Sequence, residues 1–347
     1  MNALHTLAGL ALATLAGFAF AFLDVPLAYI LGAMAGSAVY ANLFAPIRRA
    51  RDIRRFGQLV VGTAVAALLT PEVVADLGRL FPLMLLLAVA LNAVGAALAI
   101  PVARIARVDR LTALLACLPA GMAEMATLAR DLKAQEHVVA LVHTLRVILV
   151  VTLLPLLIGL AAPESPPLPA STVSPQDAAI LAGVFVGGAA VSRLAARLGL
   201  LNPWVIAPML LGLAIVAFGG SVPALPQWLI VAAQLAIGAS LGARFRVEQL
   251  KALPRASIAG VFSTLVLIAV APIGLAKLTE SMTPFGYATL ALSMAPGGLG
   301  EMIASAKALG VASATVAGFQ FTRAAITNLV VPLLIRRWIG ARRPTKG

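Results

Sequence analysis

The stretch Pro119-Ala120-Gly121-Met122-Ala123-Glu124-Met125 recurs later in the chain as Pro296-Gly297-Gly298-Leu299-Gly300-Glu301-Met302. Each copy interrupts strongly apolar sequence with helix-breaking Pro and Gly and then adds a carboxylate. Inside a bilayer, a backbone group without a hydrogen bond costs several kcal/mol, so such a break needs a reason. An Arg follows each Glu at the same distance, Arg146 after Glu124 and Arg323 after Glu301. We therefore predict two equivalent broken helices that face each other.

The composition of the chain is that of an integral membrane protein. Of its 347 residues, 61% are hydrophobic and 11% are charged, and its mean hydropathy of +1.01 is too high for a soluble core. The formal net charge is +13. The Lys and Arg residues lie in short loops between apolar segments, as the positive-inside rule predicts. Membrane topology thus accounts for the basicity, and we expect the lipid bilayer as a partner and no nucleic acid.

The few Cys and His residues argue against redox or metal chemistry. A single cysteine, Cys117, excludes an internal disulfide, and the three histidines show no metal-ligand spacing. We expect no metal and no other cofactor, apart from Na⁺ or H⁺ as a coupling ion, and no enzymatic activity.

Apolar runs of helical length divide the chain into two similar halves. In the first half the predicted segments are 3–22, 26–45, 55–70, 80–103, a broken segment 111–132, and 137–160. In the second half they are 178–196, 203–219, 227–243, 256–276, a broken segment 285–309, and 312–335. We therefore predict a first membrane repeat (1–161), a Pro-rich extracytoplasmic linker (162–177), a second membrane repeat (178–335) and a basic cytoplasmic tail (336–347). The first run is interpreted as a retained membrane helix rather than a cleaved signal peptide.

The two halves are related by duplication. A shift of 177 positions places Glu124 on Glu301 and Arg146 on Arg323, and a shift of 176 places Gln58 on Gln234. The predicted fold is an all-α polytopic membrane protein with two repeats, each of about five transmembrane helices and one re-entrant hairpin.

The loop charges indicate how the two repeats are oriented. If the broken segments return to the side they entered from, the loop Arg and Lys residues fall on the cytoplasmic side, except Arg79, Lys277 and Lys307. An odd number of crossings then makes the repeats inverted, with both termini cytoplasmic. The count leaves open that another segment, such as 55–70, fails to cross.

The four intramembrane charges, Glu124, Glu301, Arg146 and Arg323, are the first candidates for a binding site. Charges at this depth are expected to pair, to face a cavity and to serve function. Glu124 and Glu301 would bind a coupling proton or cation, and the arginines would bind substrate charge or pair with the carboxylates. The alternative is that each Glu–Arg pair is a structural salt bridge between the hairpin and the following helix.

The breaks themselves supply further candidates for ligand binding. Pro119, Gly121, Gly297, Gly298 and Gly300 end one helical arm and start the next, so unpaired N–H groups can hold an anion and carbonyls can coordinate a cation.

Polar residues on otherwise apolar helices rank second. They are Gln58, Gln234, His143 and Gln320, and each can equally serve helix packing.

The two motif copies, each followed by its Arg, resemble the membrane AbrB family, which is found duplicated in Gram-negative bacteria. The resemblance covers nearly the whole chain and implies a location in the bacterial inner membrane. Members are labelled transcriptional regulators or ammonia monooxygenases, and neither label fits a chain without a DNA-binding motif or a metal cluster. At a greater distance, the tip Gly297-Gly298-Leu299-Gly300 is similar to those of inverted-repeat carriers such as 2-hydroxycarboxylate transporters, although the first copy departs from that pattern.

The sequence therefore favours an ion-coupled secondary transporter of a small anionic solute. A membrane sensor or regulatory protein that binds a ligand without net transport is the alternative, and an enzyme is a third class. The sequence leaves open the substrate, the coupling ion and the oligomeric state. A homodimer is compatible with the sequence.

Overall fold

The structure, a computed structural model, describes residues 2–161, 174–200 and 202–341, and within these ranges the chain forms helices and no strand. The helices of the first half are α1 (Asn2–Phe22), α2 (Ala28–Leu43), α3 (Ala50–Ala66), α4 (Pro71–Ala106), α5 (Arg110–Cys117), α6 (Met122–Asp131) and α7 (Glu136–Ala161). Those of the second half are α8 (Pro175–Arg197), α9 (Pro203–Ala217), α10 (Gln227–Gly242), α11 (Val247–Ala252), α12 (Pro254–Ile268), α13 (Ala276–Glu280), α14 (Tyr287–Met294), α15 (Leu299–Ala308), α16 (Ser313–Ala325) and α17 (Val331–Ala341).

Two π-helical turns connect helices of the second half. Ala269–Leu275 joins α12 to α13 around Pro272, and Ile326–Val330 joins α16 to α17.

Several boundaries differ from the sequence-based prediction, and the largest difference is that α4 begins at Pro71 rather than at residue 80. Helix α3 begins at Ala50 because Arg49 adopts a left-handed conformation (φ 64°) just before it, so basic residues assigned to a loop are helical. Helix α8 begins at Pro175, inside the stretch assigned to the linker, where Ser174 and Asp177 form a capping box. Helix α17 continues the last segment through Ala341. Residues 162–173 of the linker and 342–347 of the tail lie outside the described ranges.

The described chain contains seven helices long and apolar enough to cross a membrane. They are Leu4–Phe22, Pro71–Ala106, Glu136–Ile158, Pro175–Arg197, Gln227–Ala252, Pro254–Glu280 and Ser313–Ile335. Two shorter apolar helices, α2 and α9, occupy equivalent places in the two halves. The chain is therefore a multi-pass helical membrane protein.

The helices pack as two groups, each drawn from both halves. The triplet group contains the first three helices of each half, α1–α3 and α8–α10, with α2 and α3 both packed on α10 and α3 packed on α9. The break group contains α4–α7 and α11–α17, in which α12 packs on α4 and α7 and α16 packs on α4 and α15. The two groups meet mainly where α15 touches α3 and α10. This division places both breaks in one group, against a second group that contains none.

Close packing in the triplet group depends on glycine. A side chain at Gly238 of α10 would collide with the backbone oxygen of Ile30 on α2, and one at Gly62 of α3 would collide with that of Val205 on α9. Both contacts involve backbone, which cannot turn away as a flexible side chain can. Such small-residue contacts let membrane helices approach closely.

Gly238→Ala is therefore expected to destabilise the protein by about 1–3 kcal/mol through overpacking. The control is Gly183→Ala on α8, where a new Cβ would meet no atom within 4 Å and Ala is the better helix former. Thermal unfolding in detergent measures both. Equal melting temperatures for the two variants would contradict the close contact of α10 with α2.

Candidate functional site

The backbone follows the same path at the two breaks. Helix α5 gives way to Leu118 (φ −58°, ψ 136°), and α14 gives way to Ala295 (φ −57°, ψ 132°). The next helices start from Gly121 (φ −69°, ψ 137°) and Gly298 (φ −77°, ψ 145°). The repeated sequence therefore folds into a repeated local structure, in which extended residues separate two short helices.

In the first break, Arg146 satisfies the carbonyls at the end of α5. Its Nη1 donates to the Leu118 carbonyl at 2.7 Å, and its Nη2 donates to the Ala116 carbonyl. The last carbonyls of a helix have no partner within that helix. The guanidinium supplies one, and its charge is favourable at the negative end of the helix dipole.

Arg323 does the same in the second break. Its Nη2 donates to the Gly297 carbonyl at 2.7 Å, and its Nη1 donates to the Ala295 carbonyl. Arg146 and Arg323 are 1% and 6% exposed, so both charges are buried. In each, Nε is buried without a hydrogen-bond partner, which leaves one donor of each guanidinium unused.

His143 and Gln320 occupy equivalent positions one turn before these arginines and bind equivalent carbonyls. His143 Nε2 lies 2.9 Å from the Leu115 carbonyl, which can only accept, so this nitrogen carries a hydrogen. Gln320 Nε2 donates to the Leu292 carbonyl at 2.8 Å and to the Ala295 carbonyl at 3.0 Å. Both polar side chains therefore help to hold the first arm of their break.

Neither glutamate forms an ion pair with the Arg that follows it. Glu301 Oε1 lies 2.6 Å from Nη2 of Arg54 on α3, with 1% of the Glu301 side chain and 19% of the Arg54 side chain exposed. This ion pair joins the break group to the triplet group. The position equivalent to Arg54 in the second half is Ile230. Glu124 is half-buried and has no ion-pair partner among the described residues.

Both glutamates lie in the first turn of the helix that follows the break. A Cβ at Gly121 would collide with the Glu124 carboxylate, and one at Gly298 would collide with that of Glu301. Each carboxylate therefore folds back over the start of its own helix, where negative charge is favourable. A larger residue at either position would displace the carboxylate from this place.

The two breaks open into one cavity of about 320 Å³, here called the central cavity. Both helix groups line it. Its lining residues include Arg51, Arg54, Gln58, Pro119, Gly121, Glu124, His143, Thr144, Arg146, Asn202, Leu241, Arg244, Pro296, Gly297, Gly298 and Arg323.

Four of the sequence-predicted residues do not line this cavity. Gly300 packs against Gln58, since a Cβ there would lie 3.1 Å from Gln58 Cγ. Glu301 is connected to the cavity through Arg54. Gln320 lies behind the second break, and Gln234 lines a separate void of about 10 Å³.

The lining of the central cavity is strongly cationic. Arg51, Arg54 and Arg244 approach it from the triplet group, Arg146 and Arg323 lie behind the breaks, and Glu124 is the carboxylate among the lining residues. On the sequence-based prediction the first three arginines lie in cytoplasmic loops, and Asn202 is not among the candidates. Helical spacing could have identified two of them, because Arg51, Arg54 and Gln58 lie three and four residues apart on one face of α3.

Metal ligands do not cluster in the described part of the chain. No three His, Cys, Asp or Glu side chains come together there. The chemistry of the cavity is instead that of guanidinium groups and two helix N-termini, which bind anions.

A family model described as "Transition state regulatory protein AbrB" matches residues 29–339. Neither a search of curated proteins nor a search of solved structures gives a match.

If Arg323 holds the second break together, Arg323→Met should lower stability by about 2–4 kcal/mol, because two buried carbonyls lose charged donors. Arg323→Lys should lose less, since an ammonium can still reach one carbonyl. Arg79→Met is the matched control, because Arg79 is 81% exposed and pairs only with the nearby Asp76. The test is the melting temperature of each variant in detergent. An Arg323→Met melting temperature equal to that of Arg79→Met would show that Arg323 does not hold the break together.

Proposed function

We propose that this chain, which belongs to the AbrB family of membrane proteins, is an ion-coupled secondary transporter that moves a small anionic solute across the inner membrane. The observation that carries the proposal is the central cavity. It lies between two helix groups, both duplicated breaks open into it, and its lining is rich in arginine.

The directions of two equivalent helices support an inverted repeat. Helix α3 reaches the central cavity near its start, at Arg51 and Arg54, whereas α10 reaches it at its end, at Leu241, with Arg244 in the turn that follows. The two helices pack on each other. Equivalent helices that meet one cavity with opposite ends are what two repeats of opposite orientation produce. The loop charges, which favour re-entrant breaks, point to the same arrangement.

The cavity lining favours an anion. Helices α6 and α15 both begin at its wall, so their first N–H groups add partial positive charge to that of the arginines. A guanidinium fork matches the geometry of a carboxylate or phosphate. We therefore assign Arg51, Arg54 and Arg244 to solute binding, with the two breaks as backbone donors.

The Arg54–Glu301 ion pair provides a mechanism for coupling. A solute anion that binds Arg54 competes with Glu301 for the same guanidinium. Glu301 is 1% exposed, and a buried carboxylate that loses its cationic partner is strongly destabilised. It must therefore take up H⁺ or Na⁺ when the solute binds. Solute and cation then enter the protein together, as symport requires.

Glu124 has a different environment and so a different role in coupling. It lines the cavity without an ion-pair partner among the described residues. We assign it as a second cation-binding carboxylate, reached directly from the cavity.

The division into two helix groups supplies the moving parts. The groups touch mainly along α15, at α3 and α10. We assign the triplet group as scaffold and the break group as the unit that moves against it with the bound solute, which gives alternating access.

A thermal-shift screen tests the binding site. Organic acids and inorganic phosphate are expected to raise the melting temperature of the purified protein, and neutral or basic amino acids are not. Arg244→Gln should weaken the best anion about tenfold or more, which is the cost of one charged hydrogen bond. Arg197→Gln is the control, because Arg197 is exposed and does not line the cavity. Stabilisation by neutral compounds alone would contradict an anion site.

Flux measurements in proteoliposomes test coupling. An imposed pH or Na⁺ gradient should drive uptake of the anion that stabilises the protein most, and Glu301→Gln should abolish the dependence of uptake on the gradient. Glu248→Gln is the control, because Glu248 is exposed on α11. A protein that binds the anion without flux would instead be a sensor. Gradient-driven uptake by Glu301→Gln would remove Glu301 from coupling.

A further inference from the structure

A second cavity of about 400 Å³ lies away from the central cavity and shares no lining residue with it. The break group forms most of it, through the start of α4, the end of α15, the start of α16 and the loops before α14 and α16, and Leu68 of the turn between α3 and α4 completes it. Its lining residues are Leu68, Val73, Asp76, Leu77, Phe285, Lys307, Gly310, Val311, Ala312, Ser313, Ala314 and Thr315.

The two cavities lie at opposite ends of the same helices. Helix α3 meets the central cavity at Arg51 and Arg54 and leads to the second cavity at Leu68. At 1.5 Å per residue these points are about 20–25 Å apart, which is close to the roughly 30 Å of a hydrocarbon core. Helix α15 likewise starts at the central cavity with Leu299 and reaches the second cavity at Lys307.

A closed seam separates the cavities along the contact between the helix groups. A void of about 10 Å³ lies there. It is lined mainly by apolar side chains of α3, α10 and α15, including Val61, Val65, Ile230 and Ile303, and also by Gln234 and Lys307.

Lys307 carries a charge into the second cavity without an ion pair among the described residues. The carboxylate in that cavity, Asp76, already pairs with Arg79 at 3.1 Å. In the first half, the residue equivalent to Lys307 is Arg130, whose Nε donates to Glu136 at 2.8 Å. The position equivalent to Glu136 holds Ser313. The second half therefore has the cation without the partner.

We propose that the second cavity is the entry site for the anionic solute on the opposite membrane face, with Lys307 as the residue that binds its charge. This inference rests on the proposed function and deepens it. The seam is then the closed part of the translocation pathway, and it opens when the break group moves along α3 and α10.

Single cysteines test whether the cavities face opposite sides. The only native cysteine, Cys117, is fully buried, and Cys117→Ala provides the background. Thr144→Cys reports on the central cavity and Ala312→Cys on the second. A membrane-impermeant thiol reagent, applied to right-side-out and inside-out vesicles, is expected to label the two positions from opposite faces. Labelling of both from one face, or no labelling at Ala312→Cys, would overturn the inference.

Reagent charge tests the role of Lys307. At Ala312→Cys, Lys307→Gln should lower the ratio of labelling rates for an anionic over a cationic methanethiosulfonate reagent about fivefold. The ratio at Thr144→Cys should not change, and Lys277→Gln, which alters an exposed lysine, serves as control. An unchanged ratio at Ala312→Cys would overturn the assignment of Lys307.

Both readouts are independent of flux, so this inference and the proposed function fail separately. Labelling from a single face overturns the second entry site even where uptake is seen. Absence of uptake overturns the transporter while the labelling pattern stands.

Discussion

Two buried guanidinium groups make the broken helices possible in a membrane. Arg146 and Arg323 donate to carbonyls at the ends of α5 and α14, groups that could not be left without partners in hydrocarbon. The charge of each guanidinium is balanced by the negative end of the helix dipole that it caps. Because the protein satisfies these ends internally, the following helices can start at the wall of a shared cavity.

The same local structure is set in two different environments. Helix α15 is buried from Leu299 to Ala306 and packs against the triplet group, whereas α6 packs mainly on α5 and α7 and has exposed side chains at Thr127, Arg130 and Asp131. One break is therefore fixed between the helix groups and the other lines the cavity more openly. The buried ion pair of Glu301 with Arg54 belongs to the first environment and has no equivalent in the second.

Local features of the fold could be predicted from the sequence, and long-range ones could not. Pro and Gly in apolar sequence located both breaks, and the shift of 177 positions identified His143 and Gln320 as equivalent residues, which the structure places on equivalent carbonyls. The pairing of Glu301 with Arg54 joins residues far apart in the chain and depends on how α3 packs against α15. Helix α3 also starts earlier than its apolar run. As a result Arg51 and Arg54, which were predicted to lie in a loop, are helical and line the central cavity.

The absence of a counterpart to Arg54, where the second half has Ile230, means that the two halves can no longer replace each other. A protein assembled from two copies of the first half would place an arginine opposite both glutamates, and one assembled from two copies of the second half would place it opposite neither. The two halves of the chain are thus complementary parts. Their backbones follow the same path at the two breaks, whereas among the described residues only one of the two glutamates forms the ion pair that joins the helix groups.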